Sequence, residues 1–186
     1  MDFEHFKRMI LQRKDKSKKG SIDEKIAPLC SAINSKKEFA TLSSCSGRIM
    51  LLVLPEENKK DVSQWLAVTH TLTGADMFIA ALKAYDKKNL IYFRQEGAIL
   101  HIAVKTIDDA QKLLDAAQKS GFKHSGILSF RKKIVVEIFS SEALSIPVFD
   151  QQQLVSDRYI EYAVELANKK LENSWKSMNK LLKMLV

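Results

Sequence analysis

The 186-residue sequence predicts an α+β protein, a single domain over residues 1–186, built on a mostly antiparallel, barrel-like sheet of six or seven strands with helices packed outside it. Three observations carry this expectation. Two strand, helix, strand stretches follow one another, Trp65 to Arg94 and Ala98 to Phe130, each flanked by further strand-like runs. The chain finishes on a helical pattern from about Ser156 to its end, roughly 45 Å long at ~1.5 Å per residue. The hydrophobic share of 46% and charged share of 28% are those of a globular protein long enough to bury a core without disulfide or metal support. The two stretches suggest a structural duplication, although they share too little sequence to form a repeat.

Phe3, Phe6, Ile10 and Arg13 recur at helical spacing, so a short amphipathic helix opens the chain and gives way to the polar stretch Arg13 to Gly20. Ser21 and Glu24 form a capping-box pattern around Ile22, and Ile26, Leu29 and Ile33 continue it, predicting a second helix to about Asn34 that Pro28 kinks or breaks early. From Phe39 the pattern changes. Phe39 to Ser43 and Arg48 to Leu54 read as the strands of a hairpin around the polar turn Ser44 to Gly47. After the charged connection Pro55 to Asp61, Trp65 to His70 reads as a strand, and the Thr73-Gly74 punctuation precedes a helix over Ala75 to Tyr85. Leu90 to Arg94 and Ala98 to Lys105 predict a second hairpin about Gly97. A helix over Asp108 to Lys119 turns Leu113, Leu114 and Ala117 inward and closes at Gly121. Lys123 to Phe130 and Lys133 to Phe139 make a third hairpin.

Thirty Lys and Arg against twenty-two Asp and Glu give +8, a surplus that attracts polyanions, because neutralising phosphates releases their counterions. A nucleic acid is the first partner to consider, and a merely soluble cationic surface gives the same sum. Cys30 and Cys45 can form only one bridge, fewer than most secreted disulfide scaffolds use, so free thiols are expected. No cationic and apolar leader opens the chain, and runs such as Ile49 to Leu54 are far below the ~18 apolar residues that span a bilayer, so the expected location is the cytoplasm, with no membrane partner.

The six glycines contain no pair separated by one residue, so a dinucleotide fingerprint is absent. Gly121 and Gly126 have Walker A spacing, but Ile127 and Leu128 stand where a phosphate-binding loop needs Lys and Ser or Thr. His5, His70, His101 and His124 lack HxxxH or CxxC companions, and no metal site is expected. Ser44, Cys45, Ser46, Gly47 and Arg48 form the most unusual stretch: a turn of small polar residues can offer backbone N–H groups to an anion, with Arg48 as a positive fork. A plain hairpin turn with a surface arginine fits the same residues. His101 interrupts the apolar strand Ala98 to Ile102 and is either a general base or substrate contact, or a strand histidine satisfied by a hydrogen bond. His70, at a strand end, has the weaker claim. Three function classes stay open on these grounds: an enzyme on a polyanion, a basic RNA-binding module without chemistry, and a thiol enzyme centred on Cys45.

Asp15-Lys16-Ser17-Lys18-Lys19-Gly20-Ser21-Ile22-Asp23 and then Ser43-Ser44-Cys45-Ser46-Gly47-Arg48-Ile49 resemble the tRNA wybutosine-synthesizing methyltransferase family, the third-named enzyme of that pathway. Trp65-Leu66-Ala67-Val68-Thr69-His70, Leu100-His101-Ile102, Ser120 to Ile127 and Ala167-Asn168-Lys169-Lys170 match its later blocks in order, so the similarity covers nearly the whole chain. Pro28 and the segment Phe93 to Gly97 depart from the pattern.

The resemblance implies a barrel-like α+β fold with a duplicated motif. It also implies transfer of a methyl group from S-adenosylmethionine to N-4 of a tricyclic guanosine derivative beside the anticodon of phenylalanine tRNA. On that reading the turn from Ser44 to Arg48, with Ser125 and Gly126, holds the cofactor or the base, and His101 or His70 removes a proton or hydrogen-bonds. Lys14, Lys16, Lys18 and Lys19 contact phosphates or form a solvated loop. Phe93, Phe122 and Trp65 wall the flipped base or belong to the core. The oligomeric state is not legible.

Overall fold

The computed structural model describes residues 2–12, 22–54, 64–86 and 88–186. The lysine-rich segment with Lys14, Lys16, Lys18 and Lys19, the Ser21 end of the capping box and the charged connection over 55–63 lie outside them. In chain order the elements are α1 (Phe3–Leu11), α2 (Ala27–Ser35), β1 (Phe39–Cys45), β2 (Arg48–Val53), β3 (Gln64–Thr69), α3 (Asp76–Lys83), β4 (Ile91–Glu96), β5 (Ile99–Val104), α4 (Ile107–Ser120), β6 (Gly126–Ser129), β7 (Ile134–Phe139), β8 (Leu144–Asp150), β9 (Gln152–Gln153) and α5 (Asp157–Leu185). They fall into two compact units. The first holds the chain up to Ser46, Gly97–Ser141 and Ser174–Val186, and the second holds Gly47–Glu96 and Glu142–Asn173.

The first unit is built on the antiparallel sheet β1-β5-β7-β6. Successive strand residues point to opposite faces, so Leu100, Ile102 and Val104 of β5 and Val136 and Ile138 of β7 enter a core shared with Leu29, Ile33, Leu113, Ala117, Met178 and Leu181. The other face receives Ile99, His101 and Ala103 from β5, and Val135, Glu137 and Phe139 from β7. Part of it is covered by α1, whose Phe3 and Phe6 pack over Ala40 and Ala103. That helix begins at Asp2, whose carboxylate accepts from the Glu4 and His5 N–H groups. Helix α4 starts where the Thr106 hydroxyl accepts from Asp109 N–H, and stops at Gly121, at φ 110°, in the left-handed region open to glycine.

The second unit carries the sheet β3-β2-β4-β8-β9, also antiparallel. Its β2 is buried through four successive residues, Ile49 to Leu52, as a strand covered on both faces must be. Phe93 of β4 meets Phe78 of α3 edge-on at 5.4 Å, and Tyr85 meets Phe149 in the same way. Helix α5 buries Ile160, Val164, Ala167, Leu171, Ser174, Met178, Leu181 and Leu185, a stripe with alternating spacings of four and three. Its residues to Asn173 belong to the second unit and those from Ser174 to the first. Among the described residues, no helix is long and apolar enough to cross a membrane.

Several expectations change here. The α+β class stands, but the strands form two sheets of four and five, not one of six or seven, and among the described residues neither ladder closes on itself. The expected first hairpin does not form. Strand β1 pairs with β5, while β2 pairs with β3 and β4, so the two-residue link Ser46-Gly47 passes the chain from one sheet to the other. The link Gly97-Ala98 does the same for β4 and β5, which replaces the second hairpin. The third hairpin is present as β6 and β7. In both strand, helix, strand stretches the two strands run parallel with an antiparallel strand between them, β2 between β3 and β4, and β7 between β5 and β6. Pro28 neither kinks nor breaks α2 but starts it, since proline lacks the N–H that the first turn leaves unpaired anyway.

Candidate functional site

Register assembles a polar row across the first unit's sheet. Ser43 on β1 lies opposite His101 on β5, His101 opposite Glu137 on β7, and Glu137 opposite Gly126 on β6. A bulge between Thr41 and Ser43 sets this alignment and leaves Leu42 as the extra residue. His101 therefore does not intrude on the apolar core. Its neighbours Leu100 and Ile102 take the core face, and its ring stands on the other.

Both ring nitrogens are engaged. Nδ1 lies 2.8 Å from Ser43 Oγ, and Nε2 lies 2.8 Å from Glu137 Oε2. An ionised carboxylate only accepts, so Glu137 places the ring proton on Nε2 of the neutral imidazole, and Nδ1 accepts from the Ser43 hydroxyl. His101 and Glu137 are about one-third exposed at 29% each, and Ser43 is exposed. The outermost group of the relay is thus a hydroxyl whose proton is held by a base, itself oriented by a carboxylate.

At the far end of the row, space lies open over Gly126, where an added Cβ would meet nothing within 4 Å. Ser125 beside it has a buried hydroxyl without a hydrogen-bond partner among the described residues.

The small-residue turn is held from within. Ser46 is fully buried, and its N–H and hydroxyl both donate to Asp23 Oδ2, at 3.2 and 3.1 Å. Its carbonyl accepts from Trp175 Nε1 at 2.8 Å, and the Lys25 ammonium lies 4.9 Å above the Trp175 ring. The anion that Ser46 receives is therefore the protein's own Asp23. Ser44 hydrogen-bonds Cys30, whose thiol burial pushes up and so keeps protonated. Cys45 is half-buried and not in a disulfide.

In the second unit, Gly47 takes φ 100° and Arg48 opens β2. The Arg48 guanidinium donates to Glu96 Oε2 from Nε at 2.8 Å, approaches it from Nη2 at 2.7 Å, and lies 4.9 Å from the Trp65 ring centre. A directly paired residue on β4 thus holds it as a fixed fork. His70 follows the end of β3, half-buried. The loop after it is clamped by Asn168, which accepts from Thr73 N–H at 3.2 Å and donates to Thr73 O at 2.8 Å. Of the aromatic candidates, Phe93 and Phe122 are fully buried core residues, while Trp65 is half-buried beneath Arg48. Glu137, Asp23, Glu96 and Asn168 do not stand out as site residues in the sequence. Glu137 alone carries a signal there: like His101, it is a polar break in an apolar strand.

The family model described as "Methyltransferase TYW3" matches residues 5–186. A Xenopus laevis protein named tRNA wybutosine-synthesizing protein 3 homolog is 37% identical over 177 residues, covering 92% of this chain and 70% of its own length. A Thermococcus sibiricus protein named tRNA(Phe) 7-((3-amino-3-carboxypropyl)-4-demethylwyosine(37)-N(4))-methyltransferase is 35% identical, with 94% of this chain and 89% of that protein covered. A solved structure from Pyrococcus horikoshii superposes with a TM-score of 0.89 at 32% identity, covering 100% of this chain and 96% of that one.

Proposed function

The chain belongs to the methyltransferase TYW3 family, and from that premise we propose that it transfers the methyl group of S-adenosylmethionine to N-4 of the demethylwyosine-type base beside the anticodon of phenylalanine tRNA. The observation that carries this reading is the hydrogen-bonded row Ser43, His101 and Glu137 on the sheet face opposite the core, with Ser43 exposed.

Bound S-adenosylmethionine would supply an electrophilic methyl group on a sulfonium sulfur, which would keep the C–S electron pair and leave as a neutral thioether. The acceptor nitrogen gains that methyl and must lose its own proton. The Ser43 hydroxyl takes this proton as it passes its own to Nδ1 of His101, so the N–H bond breaks and the proton ends on the imidazole. Glu137, hydrogen-bonded to Nε2, stabilises the imidazolium that forms. General-base assistance of this kind contributes about 10²- to 10⁴-fold, and fixing the acceptor beside the donor carbon contributes further. Ser125 and Gly126 are assigned to the cofactor, for which the space over Gly126 leaves room. Arg48, whose Nε and Nη2 already serve Glu96, is assigned through its remaining Nη1, independently of that row, to an anionic group of cofactor or tRNA.

The test is to incubate the protein with labelled S-adenosylmethionine and phenylalanine tRNA from a strain lacking this gene, then to separate the nucleosides. Label in the tricyclic base is expected. Label confined to another nucleoside, or none at all, would overturn the reading.

A further inference from the structure

The edge of the first unit's sheet carries an apolar and cationic surface that the methyl-transfer row leaves unused. Among the described residues, strand β6 is the last of its sheet, paired on one side only, with β7. Ile127 and Leu128 on it are exposed, Leu128 to 59%, and Phe130 at the hairpin tip is 75% exposed. Such an aromatic ring in water contributes nothing to a core. Arg131 and Lys132 follow it, both exposed and, among the described residues, both without an ion-pair partner. Lys133 turns back, its ammonium 4.5 Å above the Phe6 ring. At the other end of the strand stand Lys123 and His124, also exposed. From Ala116 to Val136 the sequence holds five cations, Lys119, Lys123, Arg131, Lys132 and Lys133, and no carboxylate.

We propose that this edge receives unpaired nucleotides of the tRNA substrate, with a base stacked on Phe130 and flanking phosphates on Arg131 and Lys132. The proposal rests on the tRNA reading above and gives it a surface. The chemistry selects the partner. An apolar protein surface would use Ile127, Leu128 and Phe130 but would leave Arg131 and Lys132 uncompensated, whereas single-stranded RNA offers a π-face and an anion at every nucleotide. The four residues of β6 span about 13 Å, room for two or three nucleotides along the edge.

The experiment compares the full chain with Phe130→Ala and with the double variant Arg131→Gln/Lys132→Gln. tRNA affinity is measured across a salt series, and kcat and KM for methylation are measured in parallel. Phe130 is exposed, so its removal leaves the core intact. We expect Phe130→Ala to weaken tRNA binding about tenfold and Phe130→Trp to restore it. The double variant should reduce the log-log salt slope by about 1.4, for two single-strand phosphates. In both, kcat at saturating tRNA should stay unchanged. Wild-type affinity and slope in both variants would overturn the proposal, as would altered sedimentation with tRNA affinity untouched, which marks an interface between copies of the chain. Phe130-dependent tRNA binding without methyl transfer by the wild type would support this surface while contradicting the proposed reaction.

Discussion

Asp23 accepts two buried donors from one residue, the N–H and the hydroxyl of Ser46, and by doing so it fixes the turn that leads from β1 toward β2. Asp23→Ala leaves both donors unpaired, and hydrogen bonds to a charged group are the costliest to remove, so a destabilisation of about 3 kcal/mol is expected in urea unfolding. A change below about 1 kcal/mol would show that the turn does not depend on the carboxylate. In the proposed reaction Glu137 acts one residue away from the proton transfer, through His101. Glu137→Gln keeps an acceptor for Nε2–H and removes only the charge that stabilises the imidazolium. kcat should then fall about tenfold to a hundredfold with KM for tRNA unchanged; a rise in KM at constant kcat would make Glu137 a binding residue instead. His101 is visible in the sequence because a lone polar residue in an apolar strand stands out. Its partnership is not, since Ser43, His101 and Glu137 meet only when three strands far apart in the chain come into register.

At the scale of elements, the periodicities locate nearly every helix and strand, and the errors have physical causes. A short polar link between two strands reads as a hairpin whether the strands pair with each other or separate into different sheets, and Ser46-Gly47 and Gly97-Ala98 both do the latter. Strand β8 is hidden in the sequence because Pro147 interrupts it. Proline donates nothing to a ladder and demotes a run that otherwise alternates. Gly121 is legible as a helix stop, and its role can be measured. A Cβ there would lie 2.7 Å from Ser177 Oγ on α5, at a φ of 110° that side chains disfavour. Gly121→Ala should cost about 1–3 kcal/mol. Adding Ser177→Ala should recover only part of this, because it removes the clash and leaves the backbone strain. Full recovery in the double variant would show that the clash alone sets the requirement for glycine.

For the molecule as a whole, the charge of +8 is the property most directly legible in the sequence and the one that folding least requires. Lys16, Lys18 and Lys19 lie outside the described residues, so the proposal that they contact tRNA rests on their charge. Replacing all three with Ala should flatten the log-log salt dependence of tRNA affinity by roughly 0.7 to 0.9 for each phosphate that they neutralise. An unchanged slope would return them to a solvated role and leave the β6 edge as the cationic path. In the proposed reaction this chain moves a methyl group to the tRNA base and His101 receives the proton. The most direct measurement is single-turnover transfer of labelled methyl from S-adenosylmethionine to phenylalanine tRNA, run side by side with the wild type and His101→Gln. Label in the tricyclic base is expected with the wild type, and a rate lower by about 10²- to 10⁴-fold in the variant at near-normal tRNA affinity. Absence of label with the wild type, or equal rates for the two proteins, would contradict it.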